Sequence, residues 1–109
     1  MVRIAGLVTV FLTATLPALA AETRCNEPYA PEIHITSSTT GEEMQSMRGD
    51  TESFVAASDV YQACLLKAAE KIPAYAPTAK RLIQQNQLQK LRIGKAYNDG
   101  VASHKVALK

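Results

Sequence analysis

Between residues 40 and 72, Met44, Met47, Thr51, Phe54, Ser58, Tyr61, Leu65, Ala68 and Ile72 recur in alternating steps of three and four. That spacing turns one face of a helix toward a partner, so it predicts a long amphipathic helix. Thr51 and Ser58 soften the stripe, and Gly49 costs about 1 kcal/mol against alanine inside a helix. The start is marked by Thr40 and Glu43, whose side chains are spaced to bond each other's amides in a capping box. Glu42 and Glu43 suit the exposed amides of the first turn, and Lys67 and Lys71 suit the carbonyls of the last. Pro73 ends the pattern, because it has no amide hydrogen and disfavours helical geometry at Ile72.

After a short connection at residues 74–76, Pro77 suits the first turn of a second helix. Ala79, Leu82, Ile83, Ile93, Tyr97, Val101 and Leu108 then share one stripe with Asn86 and His104. Gly94 and Gly100 weaken it. Asn98-Asp99-Gly100 also suits a turn, so the pattern predicts helix to about Ala102 with a kink or fraying there. So short a connection between two long helices predicts antiparallel neighbours. The fold class is all-α: a helical hairpin of two long helices.

Residues 22–39 have no such beat. Pro28, Pro31 and the Ser37, Ser38, Thr39, Thr40 cluster predict an extended arm, with Tyr29 and Ile33 as its packing residues. Upstream, Arg3 gives a basic start, residues 4–16 are apolar, and Ala18-Leu19-Ala20 precedes Ala21 and Glu22. That order predicts a secretory signal peptide cleaved after Ala20 or Ala21. Its apolar run is shorter than the ~20 residues a spanning helix needs, so no stable membrane anchor is expected after cleavage. The chain thus divides into a signal peptide (1–20), an extended arm (21–39) and a helical hairpin (40–109), the last two forming one domain.

An exported chain matures in an oxidising compartment, and a domain of about 88 residues has a small core. Cys25 and Cys64, the two cysteines, are therefore expected to form a disulfide tying the arm to the first helix. The alternative is two reduced, buried thiols. The charge is split: residues 22–72 carry nine acids and four Lys or Arg, and residues 73–109 carry one acid and seven Lys or Arg. The halves are complementary and should favour the hairpin register, although exposed pairs contribute only about 0–1 kcal/mol each.

The remaining motifs carry little chemistry. His34 and His104 are far apart and there is no Cys-x-x-Cys, so neither they nor the Glu32-x-His34 pair predicts a metal, and no cofactor is expected. Ser53, Ser58, Ser103 and Asp59 have no catalytic context. Arg48-Gly49-Asp50 falls inside the first predicted helix, unlike the exposed loops on which adhesion tripeptides are read. The cations of the second helix are spread around it, and export argues against a nucleic-acid partner.

Cys25-x-x-Pro28-x-x-Pro31, Ser58-Asp59-x-Tyr61-Gln62-x-Cys64-Leu65 and Tyr97-Asn98 together resemble a group of small exported bacterial proteins of unknown function. The resemblance implies a periplasmic helical protein with a disulfide and supplies no activity. The expected function is that of an exported, non-enzymatic interaction protein, binding itself or an envelope partner. An inhibitor or chaperone-like module acting on other exported proteins is the alternative. Leu88 and Leu91 fall opposite the second helix's apolar stripe and, rimmed by Arg92 and Lys95, form the candidate interaction patch.

Overall fold

The computed structural model describes residues 24–107, with side chains described to residue 105. The expected signal peptide, its cleavage point and Leu108 lie outside these residues. The first helix, α1, runs Gly41–Lys71 from an N-cap at Thr40. There the Thr40 hydroxyl accepts from the Glu43 amide at 3.1 Å, and a Glu43 carboxylate oxygen accepts from the Thr40 amide at 2.9 Å. The reciprocal bonds satisfy two of the amides that a helix start leaves without partners. At the other end the Ile72 amide donates to the Ala68 carbonyl, and Pro73–Tyr75 form one 3-10 turn closed by the Tyr75 amide on the Ile72 carbonyl.

The second helix, α2, runs Ala76–Ala107 with Pro77 in its first turn. It continues as helix through Asn98, Asp99 and Gly100 and past the expected end near Ala102, and no glycine there takes a positive φ. Packing explains the difference. Ile35 of the arm lies so close that a Cβ on Gly100 would sit 2.8 Å from its Cδ1. Gly100 therefore permits a close approach to a continuous helix instead of making a turn.

The two helices pack antiparallel, burying Thr51, Phe54, Ser58, Tyr61, Leu65 and Ala68 of α1 against Ala79, Asn86, Ile93 and His104 of α2. Both predicted stripes are the buried faces. Tyr61, Leu65 and Ala79 form a buried apolar cluster, with Cys25, Tyr75, Leu82 and Ile83 packed against it.

Cys25 reaches that cluster because it is bonded to Cys64, with Cα atoms 5.8 Å apart. From there the arm returns along the hairpin, half-burying Ile33 and Ile35 while Glu32, His34 and Thr36 face outward. This is the two-residue alternation of an extended chain. Tyr29 departs from expectation: it is 90% exposed, whereas Pro28 and Pro31 on either side of it are half-buried. The arm ends in a polar turn, where the Thr36 amide donates to Thr39 Oγ1 and the Thr39 amide to the Thr36 carbonyl.

Candidate interaction surface

The interior holds polar side chains whose bonding capacity is taken up by the fold. Asn86 donates from Nδ2 to Ser58 Oγ at 3.1 Å and accepts on Oδ1 from Gln62 Nε2 at 2.8 Å, and Gln62 also donates to Gln87 Oε1 at 3.2 Å. Thr51 Oγ1 donates to the Met47 carbonyl. His104 Nε2 lies 2.9 Å from the Thr39 carbonyl, which can only accept, so this nitrogen carries the proton. Among the described residues no buried side-chain N or O lacks a partner. Ser58 is fully buried, and its hydroxyl oxygen accepts from Asn86 across the helix pair.

These bonds also fix register. Sliding α2 by one turn would strand the Asn86 amide among apolar neighbours, and a buried polar group without a partner costs about 1–3 kcal/mol. The charge split contributes less than its size suggests: among the described residues one ion pair crosses the hairpin, Lys90 to Asp59 at 2.6 Å. Arg48–Glu52 and Lys95–Asp99 are pairs within one helix. The hydrogen bond and charge of Asp99 hold the Lys95 ammonium above its ordinary pKa, and burial, then Glu27, raises that of the Tyr61 phenol.

The outward faces are where the chain has chemistry left over. Leu88 and Leu91 are 66% and 61% exposed on the side of α2 away from α1, with exposed Arg92 and Lys95 beside them. All four members of the sequence-derived patch thus share one accessible face. The periodicity of α1 drew no attention to Val60, 71% exposed on its outer side next to Ala63 and Lys67. An open groove of about 490 Å³ separates Pro28, Tyr29 and Pro31 of the arm from Ser53, Phe54 and Ala57.

Glu32 and His34 are both exposed, and among the described residues no three His, Cys, Asp or Glu side chains gather where they could hold a metal ion. Arg48-Gly49-Asp50 lies within α1, where Arg48 Nε donates to Glu52. Among the described residues no helix is long and apolar enough to cross a membrane. The chain matches no family model, no curated protein and no solved structure.

Proposed function

We propose that this chain is an exported, periplasmic protein that acts by binding another protein surface rather than by catalysis. One observation carries the reading: the two largest apolar side chains left over on α2, Leu88 and Leu91, stand side by side in solvent, while the polar groups of the interior are committed to holding the hairpin. The signal-like start of the sequence supplies the location, and the resemblance to small exported helical proteins agrees with it. Burying both leucines would contribute roughly 3–6 kcal/mol in gross transfer free energy, part of which the entropy of association offsets.

Two measurements test the proposal. Intact mass of protein recovered from the envelope fraction is expected to show a mature chain starting at Ala21 or Glu22. A mass retaining residues 1–20 would make that segment an anchor. In affinity capture from envelope extract, wild type is expected to bring down a partner or untagged copies of itself in stoichiometric amount, and the Leu88→Ser, Leu91→Ser variant to lose it. Equal capture by both would rule out the α2 face.

A further inference from the structure

We propose that the groove between the arm and α1 takes an extended, lysine- or arginine-bearing segment of another protein, which lies alongside the arm and pairs with its main chain. The α2 face plays no part in this site, so the inference goes beyond the reading above.

The arm has unused main-chain chemistry. Pro28 and Pro31 fix φ at about −65° and keep helix from forming there. Among the described residues, no main-chain N–H or C=O from Cys25 to Ile35 bonds to another group of the protein, and such bonds begin only at the turn of Thr36 and Thr39. Groups left in this way are paired by water, and a second extended chain can replace that water with its own N–H and C=O groups. These bonds ask for an extended partner and leave its sequence open.

The groove beside the arm narrows that choice. Glu32 lines it from the arm and Asp50 from α1, with Tyr29 at the same place. The three ion pairs among the described residues are Arg48–Glu52, Lys90–Asp59 and Lys95–Asp99, so neither carboxylate is used in one. Residues 25–39 and 49–66 contain no Lys or Arg that could fill the role from within. The Tyr29 ring, which stands in solvent, offers a cation its π face. Pro28, Pro31 and Ala57 give an alkyl stem an apolar bed while its charged end reaches the acids. Two carboxylates with no third ligand beside them suit an ammonium or guanidinium better than a metal ion.

The test uses the oxidised mature protein and an acetylated, amidated octapeptide of alternating lysine and threonine, followed by amide shifts in ¹⁵N–¹H spectra. Binding with a Kd below about 1 mM is expected, with shifts confined to residues 29–33 and 50–57. Glu32→Gln with Asp50→Asn should weaken it at least about tenfold, with helix content unchanged by circular dichroism. N-methylation of the lysine amides or of the threonine amides, whichever edge meets the arm, should do the same. The Leu88→Ser, Leu91→Ser variant should bind the peptide as wild type does. No binding up to about 1 mM, affinity indifferent to the two carboxylates, or shifts centred on other acids such as Glu42 and Glu70 overturns the proposal. Affinity kept by both N-methylated peptides overturns the main-chain pairing. Failure of the peptide to bind, alongside leucine-dependent capture from envelope extract, overturns this groove while leaving the α2 reading intact.

Discussion

The hairpin and its arm are held by different kinds of interaction. The hairpin is distributed: about ten buried positions on two faces share its cohesion, and a polar chain through Ser58, Asn86 and Gln62 sets how they align. The arm is attached at points. Cys25 is bonded at one end, Ile35 is wedged over Gly100 near the other, and the Thr39 carbonyl is clasped by His104. A periodic stripe can lose one contact and persist, whereas an element held at three points answers sharply to the loss of any one.

The disulfide should show the largest effect. It closes a loop spanning 39 positions, and the chain-entropy account assigns such a bond about 4 kcal/mol. The Cys25→Ser, Cys64→Ser variant is expected to lose about that much stability in urea, with the arm becoming sensitive to protease before the helices melt. An unchanged urea midpoint would mean that the Ile35 and Thr39 seats hold the arm unaided.

Next comes the polar chain inside the hairpin. Asn86→Ala leaves Ser58 and Gln62 without their shared partner and is expected to cost about 1–3 kcal/mol. Amide exchange should quicken along both helices together, since the loss falls on the shared seam. A change confined to one helix would contradict a register role for Asn86.

The two glycines of α2 then sharpen the contrast. A Cβ at Gly94 meets nothing within 4 Å, so Gly94→Ala should gain up to about 1 kcal/mol of helix propensity. The same change at Gly100 runs into Ile35, and it should forfeit the gain or destabilise. Because the Ile35 Cβ itself would lie 2.9 Å away, Ile35→Gly and not Ile35→Ala should relieve the collision if it is the cause. Equal thermal shifts for the two glycine variants would remove Ile35 from this account.

The cap of α1 is expected to show the smallest effect. Thr40→Ala should cost about 1 kcal/mol, read from the thermal midpoint. Its pH dependence has a definite sign. Thr40, chiefly through its amide, holds the Glu43 carboxyl below its ordinary value of 4.5. The folded state therefore binds that proton less readily than the unfolded state does. Its stabilisation is complete above pH 4.5 and is lost as pH falls through the lowered value. Glu43→Gln should flatten this part of the acid profile, whereas Thr40→Ala, which keeps the amide, should leave most of it in place.

Legibility in the sequence followed the same divide. The stripe of α1 and its cap could be read because periodicity and capping are local, and even Thr51 and Ser58 were placed on the buried face by spacing alone. The arm was harder. That Cys25 would bond Cys64 followed from there being two cysteines, but nothing local showed that Tyr29 would stand in solvent while Ile35 took the packing position. Gly100 looked like a turn because its reason lies 65 positions upstream, in a side chain it must let past. The exposed leucines were visible as a break in the α2 stripe. Val60, and Leu66, which is 58% exposed on the same helix, escaped notice because apolar residues scattered singly on a helix's outer side carry no periodic signal.

The clasp between His104 and the Thr39 carbonyl has a consequence for the order in which the molecule can be finished. A chain emerging from its N-terminus presents Cys25 and Cys64 before most of α2 exists, and two cysteines permit one intramolecular pairing. The covalent loop can therefore close around an unfinished protein without choosing a wrong partner. Gly100 and His104, which seat the far end of the arm, come after both cysteines in the chain. The bond that ties the arm down can thus be made before the seat that receives its far end exists.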